Sequence, residues 1–224
     1  MSSIAADVVL AVAGGASLRL RLPEDATAEA VGDLPVVEVG NLPGAAVRVR
    51  AGFHGGGVTL RALCASASSN GWAPGVEDLV LGRASQIARG ALGGEVTRFE
   101  AREAVAVGTR IEQRFEATVQ RGGEAAAARG RHVLGFAGAA RDAVLCTVVC
   151  TERAGGDGCT ALVEAAAPEG GWVAAPAPSA LVQGILLAAD RPLAAAGVVG
   201  VAALALVALV LGRRPRPRAT FRRS

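Results

Sequence analysis

Apolar positions along the chain follow two rhythms before merging into one uninterrupted run near the end. In residues 17–22, Leu18, Leu20 and Leu22 alternate with Ser17, Arg19 and Arg21, the period of two that marks a half-buried strand. Residues 8–13 precede it across Gly14-Gly15, a dipeptide suited to a two-residue hairpin turn. Short strands are predicted over 36–39 and 46–50, and 58–64 pairs back across the glycine-rich turn 52–57. The rhythm then changes. Val76, Val80, Ala84, Ile87 and Ala91 step by four, four, three and four, which predicts a helix over 76–92 with one apolar stripe. Glu77 and Asp78 in its first turn and Arg89 in its last complement the helix dipole, and Gly93-Gly94 supplies the stop. Long strands follow over 95–107, 109–119, 126–137, 144–152 and 159–166. In 109–119, Ile111, Phe115, Ala117 and Val119 share one side. Arg110, Glu112, Arg114, Glu116 and Thr118 share the other, so one face of this sheet is wet.

Residues 167–178 are rich in Pro, Gly and Ala and read as a loop; Ser179 then caps a second, closing helix over 180–189. From Pro192 to Gly212 no side chain is charged or strongly polar. At roughly 1.5 Å per residue this stretch reaches ~31 Å as a helix, the thickness of a hydrocarbon core. The pattern predicts a single transmembrane helix at 192–212, with Arg213, Arg214, Arg216 and Arg218 in the 213–224 tail at lipid headgroups. The expected class is therefore α+β. A soluble domain over 1–190 would be a twisted antiparallel sheet with one long helix on a face and a short closing helix, followed by the membrane anchor. Arginines after the span favour a cytoplasmic tail, whereas the start of the chain has no basic, apolar export signal. The two observations pull apart, and on the second the domain is expected in the cytoplasm.

Charge and composition narrow the chemistry. The formal net charge is +3, but six of the 23 arginines lie beyond residue 212, leaving 17 against 20 acids before it. The main domain is slightly acidic and gives no reason to expect nucleic acid as a partner. The chain contains no Lys, which removes Schiff-base catalysis and the P-loop lysine.

His54-Gly55-Gly56-Gly57 has the composition of an esterase oxyanion loop, but no Gly-x-Ser-x-Gly elbow accompanies it, and a hairpin turn is the simpler reading. Cys64, Cys146, Cys150 and Cys159 admit three readings: buried small hydrophobes, a Cys150–Cys159 bridge in an oxidising compartment, or a metal or redox group. The C-x3-C-x8-C spacing lacks a zinc knuckle. His132 alternates with Leu134 and Phe136 and reads as a core or edge histidine. Glu100, Glu103, Glu112 and Glu116 interleave with Arg98, Arg102, Arg110 and Arg114, the pattern of a solvated face with cross-strand ion pairs. Trp72 and Trp172 each follow Gly in loops, as binding anchors or as packing over a sheet edge.

The order of strands, one mid-chain helix, a long meander and a terminal helix resembles the PsbP-like fold. Val105–Val119 followed by Gly130-Arg131-His132-Val133-Leu134-Gly135-Phe136 has a matching texture. The resemblance covers residues 7–190 and implies binding or assembly more than a reaction. The expected function is thus a membrane-anchored, non-enzymatic binding or scaffold domain that presents a sheet face to a protein partner, with membrane lipid around its anchor and no cofactor. One alternative is a thiol-based redox enzyme using Cys146, Cys150 and Cys159. Another is a domain that holds lipid or a small apolar ligand between sheet and helix.

Overall fold

The computed structural model describes residues 4–31, 46–69, 72–73 and 75–178. The chain divides into compact units Met1–Ala177 and Pro178–Ser224, and the fold set out here belongs to the first. Its elements in chain order are β1 (Ile4–Ala13), β2 (Ala16–Pro23), β3 (Thr27–Glu29), β4 (Ala46–Gly55), β5 (Val58–Ala67), α1 (Val76–Ala91), β6 (Glu95–Ala101), β7 (Val105–Val107), β8 (Arg110–Arg121), β9 (Glu124–Ala137), β10 (Asp142–Arg153), α2 (Gly158–Ala165), β11 (Ala167–Gly170) and β12 (Trp172–Val173). The main sheet has the order β3-β4-β5-β10-β9-β8-β6, with β7 on β8 and β12 on β9; a smaller sheet has the order β1-β2-β11. Every strand pair is antiparallel.

β10 explains the layering. Its run Ala143-Val144-Leu145-Cys146-Thr147-Val148-Val149-Cys150 is buried at every position, so both faces of the main sheet need a cover. Val144, Cys146, Val148 and Cys150 point into one core with Leu60 and Cys64 of β5, Leu18, Leu20 and Leu22 of β2, and Cys159, Leu162 and Val163 of α2. On the other face, Ala143 and Leu145 pack with Leu63 and Leu134 beneath Val80, Leu81, Ala84 and Ile87 of α1. Val149 and Phe115 continue that core under Ala88, Ala91 and Leu92. The first unit is three layers: small sheet and α2, main sheet, α1.

Two close approaches fix the layers. Gly14, at φ +56° in the β1–β2 turn, lies against the β9–β10 turn, where a Cβ would come within 2.5 Å of the Gly138 backbone. A Cβ on Gly130 would come within 2.0 Å of the Phe115 ring, so β9 needs glycine there for Phe115 to lie flat under the sheet. The C-terminal end of α1 is closed by two arginines: Arg61 donates to the Ala91 carbonyl at 2.8 Å, and Arg121 donates to the Leu92 carbonyl. Burial, and secondarily the neighbouring Arg61, holds the Arg121 guanidinium below its ordinary pKa. Arg61 is in turn paired with Glu29 at 2.9 Å.

Several sequence expectations are corrected. Strand makes up 60% of the described residues and helix 15%, in two helices, so the domain is mostly antiparallel β and not an α+β fold organised by one long helix. Residues 159–166, expected as a strand, lie largely in α2. The reason is visible in hindsight: Cys159, Leu162, Val163 and Ala166 recur at helical spacing, and all four are buried. The Glu152 carboxylate reinforces the helix start by accepting the Cys159 N–H at 3.2 Å. The small sheet, which uses residues 167–170 as a strand instead of a loop, was also unforeseen. No helix among the described residues is long and apolar enough to cross a membrane, so the structure gives the expected membrane anchor no support. The predicted span 192–212, the closing helix 180–189, the tail arginines and the short strand 36–39 lie outside the described residues.

Two disulfides pin the double-sided strand. Cys146 of β10 faces Cys64 of β5 directly across the ladder, with Cα atoms 4.1 Å apart, and Cys150 is bonded to Cys159 of α2. They close loops of very different length, with sequence separations of 82 and 9. Loop-closure entropy assigns roughly 4–5 kcal/mol to the long one and roughly 2.5 kcal/mol to the short one. Urea denaturation of a Cys64→Ala/Cys146→Ala variant is therefore expected to show the larger loss of stability, and a Cys150→Ala/Cys159→Ala variant the smaller.

Candidate functional site

The small sheet and α2 cover the middle of the main sheet, and α2 rests on β10 and β9. Beyond it, the same face of β9, β8 and β6 carries charged side chains. Strand alternation brings Arg129 and Arg131 of β9, Glu112, Arg114 and Glu116 of β8, and Arg98 and Glu100 of β6 to one side. Apolar partners on the other side (Phe115, Ala117, Val119, Ala128) go into the α1 core, so one alternation serves both layers.

The charges are mostly paired. Arg98 meets Glu100 at 2.7 Å, Arg102 meets Glu116 at 2.8 Å, and Arg114 reaches Glu164 of α2 at 3.0 Å. These are exposed pairs, worth little individually. Arg131 differs: it binds Glu112 at 2.5 Å, both nearly buried, and donates to the Ala166 carbonyl that ends α2 at 3.0 Å. That pair locks α2 to the sheet. Arg129 is half-buried, and neither an ion pair nor a hydrogen bond engages it among the described residues. It lies across the ladder from Glu116, whose carboxylate is held by Arg102.

Between β8, β9 and α2 these side chains frame an open cleft of about 260 Å³, lined by Arg102, Arg114, Glu116, Arg129, Thr160, Val163 and Glu164 over a floor of Phe115 and Gly130. A second hollow of about 170 Å³, lined by Arg98, Glu100, Glu116, Thr118 and Arg129 among others, shares two of its residues with the first. Planar guanidinium forks in a partly desolvated cleft are suited to gripping carboxylates.

Other residues singled out in the sequence take structural places. All four cysteines are fully buried and disulfide-bonded, which leaves no thiolate at a surface for exchange chemistry. Cys150 and Cys159 are joined, though as a strand-to-helix link; Cys146 takes Cys64, a partner the spacing did not single out. His54 lies near the end of β4 beside Thr27, and Gly56-Gly57 form the β4–β5 turn, where Gly56 donates its N–H to Asp25 at 2.7 Å. Trp72 is buried edge-on against Phe136, and Trp172 donates its indole N–H to the Ser17 carbonyl at 3.3 Å. Both tryptophans pack between layers. Among the described residues no cluster of His, Cys, Asp and Glu could hold a metal ion. One hollow between α1 and the sheet, framed by Ala65, Val80, Leu134 and Leu145, measures about 10 Å³ and is too small for an apolar ligand. Sequence reasoning missed Arg129, Arg131, Thr160 and Glu164. The Arg-x-Arg alternation of β9 was a usable signal for the first two; the others required knowing that 158–165 is a helix.

His132 sits in the α1-side core, fully buried, with Nδ1 2.9 Å from Thr147 Oγ1 and its ring stacked on Phe115 at 4.8 Å. Burial lowers its pKa to about 3.

Compared with known proteins, the chain matches no protein family and no curated protein. Among solved structures it is similar to LpqN, involved in cell envelope biogenesis of Mycobacterium tuberculosis, at 12% identity and a TM-score of 0.40, covering 71% of this chain and 84% of that one. It is also similar to PA94, a protein of unknown function from Pseudomonas aeruginosa, at 14% identity and a TM-score of 0.27, covering 66% of this chain and 84% of that one. Likeness at this level carries no functional argument. Neither of these structures is described as PsbP-like, and the resemblance drawn from element order gains no support.

The buried histidine makes a pH prediction. Its folded pKa lies below the ordinary 6.5, so it contributes stability that is present above pH 6.5 and lost as pH falls from there toward 3. Between pH 7 and 5 the loss from this group is about 2 kcal/mol. Chemical denaturation at both pH values should show this loss in the native protein, while a His132→Gln variant, weaker overall, should lack it. Equal pH dependence in both would contradict the assignment.

Proposed function

We propose that this is a non-enzymatic binding domain that takes a protein partner on the charged β6–β8–β9 face beside α2. The observation that carries the reading is the division of labour within the main sheet. One end of the face is sealed by the small sheet, α2 and a disulfide, while the adjoining end is left open with an ordered array of arginines and glutamates around a cleft. A rigid scaffold presenting spaced charges gives specificity and rapid encounter more than chemistry. The buried disulfides support a domain that matures in an oxidising compartment, against the cytoplasmic placement expected from the start of the chain.

The test is capture from the native host by the tagged full chain. An Arg102→Glu/Arg129→Glu variant should lose its partner at least roughly tenfold, as close charge pairs at interfaces do. Its melting temperature should fall by no more than a few degrees, since neither arginine supports the core, although both substitutions bring a carboxylate toward Glu116. Arg83→Glu, exposed on α1 on the far side of the sheet, should capture normally. Loss with Arg83→Glu, or full capture by the double variant, would contradict this face as the binding surface.

A further inference from the structure

The geometry points to an acidic side chain of an extended peptide as the group this cleft takes, with its carboxylate held by Arg129 between Arg102 and Arg114. The inference rests on the binding face proposed above and names the chemistry of its occupant. Three arginines and two glutamates line the cleft, so the site carries one surplus positive charge. That surplus is localised. Arg102 and Arg114 are each committed to a glutamate, at 2.8 and 3.0 Å, whereas half-buried Arg129 has no acid of its own. An incoming anion would therefore meet a guanidinium fork that no acid among the described residues engages.

The sign and size of the surplus select the anion. One carboxylate neutralises it, and the guanidinium fork of Arg129 can meet both its oxygens. A phosphate dianion would leave a net negative charge beside Glu116 and Glu164. The shape selects a chain over a free small acid. The two hollows, of about 260 and 170 Å³, meet at Arg129 and Glu116, so an extended segment can cross from one to the other with its acid between them. The α2 wall offers the Thr160 hydroxyl and the Val163 side chain to flanking positions. The Cys150–Cys159 bond and the Arg131–Ala166 contact hold that wall in place.

The experiment is a titration of the 15N-labelled full chain with acetyl-Ala-Glu-Ala-amide, read at the Arg129 Nε–H and the Thr160 amide. Acetyl-Ala-Gln-Ala-amide, acetate and inorganic phosphate are run at matched ionic strength. The glutamate peptide should give saturable shifts at both positions, the glutamine peptide none, and acetate and phosphate weaker ones. Arg129→Gln should weaken the glutamate peptide roughly tenfold or more, and Arg83→Gln should leave it unchanged. Equal binding of the glutamine peptide, or undiminished binding by Arg129→Gln, overturns the carboxylate. Acetate binding as tightly as the peptide overturns the peptide occupant, and tighter phosphate overturns the monoanion. If the glutamate peptide fails while Arg102→Glu/Arg129→Glu still abolishes partner capture, this inference falls alone; if that variant captures normally, the binding face falls with it.

Discussion

The structure depends on one strand that has no side facing water. Eight consecutive residues of β10, Ala143 to Cys150, are buried, and a strand in that position imposes a cover on each face of its sheet. α1 supplies one cover. The small sheet and α2 supply the other, and their extent decides where the main sheet is left open. The candidate site is therefore a boundary effect: it begins where the β10 cover ends, at β9, and runs to the edge at β6.

The same strand anchors the covers chemically. Cys146 and Cys150 are four residues apart and so share a face, from which one bond runs sideways to β5 and the other upward to α2. A core built almost wholly from Ala, Val and Leu, with few aromatics to bury, gains from such links, because each buried side chain removes less surface from water than an aromatic one would. Two of the phenylalanines, Phe99 and Phe115, form a stack with His132, with Arg89 over the Phe99 ring at 4.7 Å. Gly130 makes room for it.

Much of this was legible in the chain. Leucine alternation located β2, and a four-four-three-four stepping located α1. The Arg/Glu interleave of residues 98–116 marked a wet face whose ion pairs the structure contains. What escaped detection had specific causes. Residues 159–166 are as compatible with a strand as with a helix by hydrophobicity, and the choice is made by burial of Cys159, Leu162 and Val163 where α2 meets β10, β9 and β2, a tertiary fact. β11, with Pro168 and Gly170, carries turn residues and pairs with β2 only because α2 returns the chain there. The Cys64–Cys146 bond depends on β5 and β10 being neighbours although the two cysteines are 82 positions apart. Arg129 acquires meaning only once Glu116, its cross-strand neighbour, is seen to be held by Arg102.

If β10 is the strand that both covers are fastened to, its two cysteines must be bonded to different layers. Digestion of the unreduced protein after alkylation, followed by mass spectrometry, measures this directly. The account predicts no alkylated cysteine and two linked pairs, Cys64 with Cys146 and Cys150 with Cys159. Alkylation at any of the four, or a bond that exchanges these partners, would contradict it.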